Sequence, residues 1–86
     1  MVERIEVSVT ADDIKHGEIN NCYRCPIARA LQRCGFERPI VDGVQICLGV
    51  GMAEIDTPAE ANEFIKRFDD GLPVQPFEFA LEIPRG

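Results

Sequence analysis

The chain has 86 residues, 45% of them hydrophobic and 28% charged, which is the length of one domain and the balance of a folded rather than a disordered protein. Its net charge of −6 argues against general nucleic-acid binding, which rests on neutralised phosphates. No apolar run approaches the roughly 18–20 residues that span a bilayer, and the start lacks the basic and apolar stretches of a signal peptide. The expectation is a cytoplasmic protein without membrane association, its four cysteines reduced.

The segment Arg4 to Val9 alternates strictly, which predicts a half-buried strand. Thr10 follows as a helix N-cap with Asp13 three residues on, a capping-box variant, and Val9 and Ile14 sit at the positions of a hydrophobic staple. Gly17 ends this short helix. Residues 18–25 form a loop around Asn20-Asn21-Cys22. Pro26 suits the first position of a second helix. Ile27, Ala30, Leu31 and Cys34 repeat at the spacing of one buried face. Gly35 terminates that helix, with Phe36 placed to cover Leu31 as in a Schellman ending.

Asp42-Gly43 between Ile40-Val41 and Val44 signals a hairpin. Val44, Ile46 and Leu48 alternate as a strand, and Gly49 and Gly51 break it. Gly49-Val50-Gly51 lacks the ending of a phosphate loop. Met52 to Asp56 reads as a further strand. Thr57-Pro58-Ala59-Glu60 reads as a complete helix start, with Thr57 capping, Pro58 first and Glu60 closing the box. Ala61, Phe64, Ile65 and Phe68 form the buried stripe, and Gly71 and Pro73 end the helix. Asp69-Asp70 places two acids where the helix dipole disfavours them, with bonding to the turn backbone as the expected role. Pro76 to Ile83 is the last strand, with Phe77, Phe79, Leu81 and Ile83 on one face and Glu78 and Glu82 on the other.

The predicted order is β-α-α-β-β-α-β over residues 1–86. This is an α+β domain with a mainly antiparallel small sheet carrying three helices on one face. The opposite sheet face would be polar and exposed, or used for association.

Charge is uneven. Residues 1–14 carry net −3, residues 15–38 net +3 and residues 39–86 net −6. The basic island overlaps the most suggestive stretch, Cys22-Tyr23-Arg24-Cys25-Pro26, and supports two readings. The first is anion capture: free amides at residues 27 and 28, Arg24 nearby, Arg29 and Arg33 on an exposed face, and Tyr23 able to stack on a base. Tyr23, Arg24, Cys25, Arg29 and Arg33 are then the ligand-binding candidates.

The second reading is thiol or metal chemistry. Cys25 beside a helix start would see the positive end of the dipole, which favours thiolate. Cys22 and Cys25 have the spacing of half a zinc site, with His16 and Cys47 as further ligands. Cys34 is excluded, because nine residues of helix set it roughly 13 Å from Cys25 along the axis. No Ser-His-Asp or Cys-His-Asn arrangement is legible, so neither an enzyme nor a cofactor is expected.

Thr10-Ala11-Asp12-Asp13-Ile14-Lys15-His16-Gly17 running into Cys25-Pro26-Ile27-Ala28-Arg29-Ala30-Leu31, together with Phe68 to Phe79, resembles a group of small proteins encoded in tailed-phage and prophage genomes. The resemblance covers most of the chain. It implies a non-enzymatic accessory protein made inside a bacterium, acting by binding a host protein or a small anionic molecule.

Overall fold

The computed structural model describes residues 2–49 and 54–84. The elements are β1 (Val2–Val9), α1 (Ala11–His16), α2 (Pro26–Arg33), β2 (Ile40–Val41), β3 (Gln45–Cys47), β4 (Glu54–Asp56), α3 (Ala59–Asp69) and β5 (Phe77–Pro84). The α+β class is as expected. The strands are antiparallel as expected, but among the described residues they fall into two sheets rather than one: β1 pairs with β5, and β2, β3 and β4 form a second sheet in that order. The short Ile40–Val41 arm of the hairpin is a strand of its own, so the described residues hold five strands in two sheets. The expected start at Met52 and the break at Gly51 lie outside the described residues.

Local chemistry accounts for most element boundaries. Thr10 accepts the Asp13 amide at 3.2 Å, and the Asp13 carboxylate accepts the Thr10 amide at 3.0 Å, completing the box. Both long helices end in full Schellman motifs. At α2, the Phe36 and Gly35 amides donate to the Leu31 and Gln32 carbonyls at 3.2 and 3.1 Å, with Gly35 at φ 103°. At α3, the Leu72 and Gly71 amides donate to the Arg67 and Phe68 carbonyls at 2.9 and 3.1 Å, with Gly71 at φ 75°. A residue with a Cβ is strained at either glycine.

Three local expectations are corrected. Gly17 ends α1 from extended backbone, φ −71° and ψ 152°, so a left-handed turn is not what requires glycine there. Space requires it: a Cβ would stand 2.6 Å from Pro26 Cδ and 2.8 Å from the Asp13 carbonyl oxygen. Thr57 does not cap α3. Its hydroxyl donates to the Asp42 carbonyl at 3.0 Å, and Pro58 takes the cap position without a side-chain bond. Val44 belongs to the hairpin turn and is 76% exposed, while Ile46 and Leu48 are buried as the alternation requires. Asp42 organises that turn by accepting the Val44 and Gln45 amides, both at 2.7 Å. Those donors, Gln45 first, hold its carboxyl below the usual carboxylate range.

The core joins all the layers. Val7 and Val9 of β1, Phe79, Leu81 and Ile83 of β5, Ile27, Ala28, Ala30 and Leu31 of α2, Ile46 of β3, and Ala61 and Phe64 of α3 are buried together. Phe64 stacks on Phe77 at 4.7 Å between centroids, and Phe77 stacks on Phe79 at 5.5 Å, which fastens α3 to β5. The helix stripes and the strand alternation thus meet on one side of β5 and leave its Glu78 and Glu82 outside.

Candidate functional site

The Cys22–Pro26 stretch is held rigidly from three sides. Asn20 adopts φ 57° and donates its amide to Asp69 Oδ1 at 3.0 Å. Asn21 Oδ1 accepts the Tyr23 and Arg24 amides at 2.9 and 3.1 Å, and the Cys22 carbonyl accepts the Val41 amide at 2.9 Å. Asp69, expected to bond the turn that follows α3, instead caps this distant loop.

Cys25 is the N-cap of α2 as its position suggests, and its sulfur accepts the Ala28 amide at 3.4 Å. The expected thiolate is corrected. Cys25 is buried, and burial pushes its thiol up, helped by the Asp69 carboxylate and Cys22, against the pull of the Ala28 and Ile27 amides. Loss of hydration outweighs the helix end here because the thiol faces the core.

The zinc set is corrected as well. Among the described residues no three His, Cys, Asp or Glu side chains gather as a metal site. His16 lies on α1, with Nε2 3.3 Å from Asp12. Cys47 points its thiol at the Gly49 carbonyl, 3.5 Å away. Cys34 is exposed at the C-cap of α2 rather than buried on its stripe, since the helix has already turned into its Schellman ending.

The arginines are not on a free face. Asp13 is completely buried, and the Arg33 guanidinium donates to both of its oxygens, with Nη2 2.7 Å from Oδ2. The same Nη2 donates to the Ser8 carbonyl at 2.8 Å. Arg29 stands over the pair, with Nη2 3.5 Å from Asp12 and Nε 3.7 Å from Asp13 Oδ1. Burial pushes the Asp13 carboxyl up, but the bonds from Arg33 and Thr10 outweigh it and hold it below its ordinary value. Asp13 in turn holds the Arg33 proton more tightly. This cluster joins β1, α1 and α2 and neutralises the charges that the anion reading needed. The clue missed in the sequence was Asp13 itself, which serves a capping box with one oxygen and leaves the other buried.

Of the five ligand-binding candidates, Tyr23 and Arg24 stay exposed and line one cleft of about 440 Å³ with Gln32, Glu37, Arg38 and Pro39. Cys25, Arg29 and Arg33 are not in it. Arg24 lies 3.6 Å from Glu18, whereas Arg38 has no ion pair among the described residues.

A second cleft lies elsewhere, between the two sheets. It measures about 510 Å³, and β4 lines one side with Glu54, Ile55 and Asp56 while β5 lines the other with Ala80, Leu81 and Glu82. Arg4 and Pro58 also line it. Glu54, Asp56 and Glu82 are exposed and have no cationic partner among the described residues, and Arg4 is turned to Glu6 at 3.2 Å. The outward face of β5 was expected to be polar. What could not be expected is that β4 would bring two more acids opposite it.

Among the described residues no helix is long and apolar enough to cross a membrane. Comparison with protein-family models, with curated proteins and with solved structures finds no match to this chain.

Proposed function

We propose that this chain is a non-enzymatic binding protein, of the accessory kind that the phage resemblance implies, and that it engages a basic host protein at the cleft between its sheets. The observation that carries this reading is the grouping of Glu54, Asp56 and Glu82 around one concave surface with no cation paired to them, in a molecule whose other charge cluster is internally neutralised. Unpaired carboxylates at a cleft steer and select a partner of opposite charge.

The test compares the protein with a Glu54→Lys/Glu82→Lys variant, each immobilised and exposed to bacterial lysate. Both positions are exposed, and circular dichroism checks that the variant folds. The reading expects a basic protein retained by the first and lost by the second. Identical captures from the two columns contradict it.

A second reading has one observation in its favour. Arg38, free of ion pairs among the described residues, shares a cleft with the exposed Tyr23 ring, which suits a small anionic ligand such as a nucleotide. A ligand there at a hundredfold excess over its Kd stabilises the fold by about 2.7 kcal/mol. A nucleotide panel that leaves the melting temperature unchanged removes this reading.

A further inference from the structure

The cleft of about 440 Å³ beside Tyr23 is lined by segments whose backbones are fixed. Asn21 Oδ1 holds the Tyr23 and Arg24 amides. The Cys22 carbonyl accepts the Val41 amide at 2.9 Å, which ties this loop to β2. The Schellman ending of α2 turns the chain at Gly35 and leads into Glu37, Arg38 and Pro39. Pro39, which is buried, and Ile40, which is half-buried, supply the apolar lining. The volume falls in the range of small-molecule sites.

The polar side chains in this lining are almost all unused. Among the described residues the Tyr23 hydroxyl, the Gln32 amide and the Glu37 carboxylate take part in no hydrogen bond, and neither Glu37 nor Arg38 makes an ion pair. Glu37 and Arg38 are adjacent in the chain and still do not pair with each other. Only Arg24 is engaged, by Glu18 at 3.6 Å. The cleft therefore holds three separate demands. Tyr23, 59% exposed, offers an aromatic face. Glu37 offers two oxygens that only accept. Arg38 offers a fork of donors suited to phosphate.

We propose, on the small-anion reading given above, that this cleft takes a guanine mononucleotide. The base stacks on Tyr23, its N1–H and N2 amino group donate to the Glu37 carboxylate, and its phosphate accepts from Arg38. Guanine is the one common base with two donors side by side on its Watson–Crick edge. Adenine sets an acceptor beside its amino group, so the carboxylate gains one bond and meets one repulsion. Gln32 both donates and accepts, and does not discriminate between them. A net charge of −6 disfavours a long nucleic-acid strand and leaves the free nucleotide as the occupant.

The probe is guanosine 5′-monophosphate, titrated into the whole protein by calorimetry. Adenosine and inosine 5′-monophosphates and the trinucleotide UGU are titrated beside it. The guanine nucleotide is expected to bind about tenfold more tightly than the adenine one. Inosine monophosphate keeps N1–H and lacks the amino group, and should fall between them. Glu37→Gln is expected to remove the preference by weakening the guanine nucleotide alone. Arg38→Gln should weaken guanine and adenine nucleotides by the same factor, since both carry the phosphate. Both positions are exposed, and circular dichroism checks that the variants fold.

Equal affinity for the guanine and adenine nucleotides overturns the base selection and leaves the small-anion reading standing. So does a guanine preference that survives Glu37→Gln. Tighter binding of UGU than of the mononucleotide assigns the cleft to a single strand and overturns the free nucleotide as its occupant. Failure of every nucleotide to bind at millimolar concentration removes the small-anion reading and this proposal together.

Discussion

Two acidic clusters in this protein have opposite fates. Around Asp13, the carboxylate is buried and is bonded from within the chain by Arg33 and Thr10, with Arg29 beside it as an ion pair at 3.7 Å. Around the inter-sheet cleft, three carboxylates are exposed and meet no cation among the described residues. The first cluster is a joint, holding α1 and α2 against β1. In the proposed reading, the second offers its charge to something outside. What separates a joint from a site is therefore whether its polar groups are already paired. The amount of charge does not decide it: in the basic island that looked most like a site, Arg33 is already bonded to the Asp13 carboxylate.

If this contrast is right, substitutions in the joint cost stability and those in the cleft do not. Asp13→Ala removes a buried charge with several partners and is expected to lower unfolding free energy by about 3 kcal/mol, read by urea denaturation. A loss under about 1 kcal/mol would mean the pair is a surface contact in effect.

Gly17→Ala tests the same corner through packing. The added methyl must displace the Pro26 ring or the end of α1, at a cost of about 2 kcal/mol.

Acid should undo the joint. Because the Asp13 carboxyl is lowered in the folded state, its contribution is complete above its unfolded value of about 3.9 and is lost as pH falls through the folded value. Stability should hold near neutral pH and fall below about pH 4, with a smaller fall in Asp13→Asn. Arg33 moves in the other direction and loses its charge only in strong alkali, so it adds no slope near neutrality.

In the cleft, Glu82→Gln is expected to change stability by less than about 0.5 kcal/mol while weakening capture of a basic partner. The smallest effect concerns the loop between the two regions. Cys25 should be the last of the four thiols to react with iodoacetamide, since it is buried and its thiol is raised. Early modification at neutral pH would restore the thiolate reading.

These contrasts also mark how far the sequence carries. The Thr10–Asp13 box, Pro26 at a helix start, the glycine endings at Gly35 and Gly71 and the alternation of β5 were all legible, because each is made by residues within about five positions of one another. The failures involve distant partners. Thr57 carries every local mark of a cap, but its hydroxyl is taken by a carbonyl fifteen residues away. Arg33 is exposed as its spacing predicts, yet its guanidinium is claimed by a carboxylate twenty residues back. Cys25 was placed correctly on the helix, yet its thiol state follows from burial by elements outside its own. The inter-sheet cleft is the extreme case, since it is made by β4 and β5 edges whose proximity no periodicity encodes. Of the proposed site, only the outward Glu82 could be read in advance.

The central claim is that the carboxylates of the inter-sheet cleft select a partner by charge, and capture from bacterial lysate tests it most directly. The account predicts that a basic protein is retained by the unaltered protein and lost by Glu54→Lys/Glu82→Lys. Identical captures by the two would contradict it.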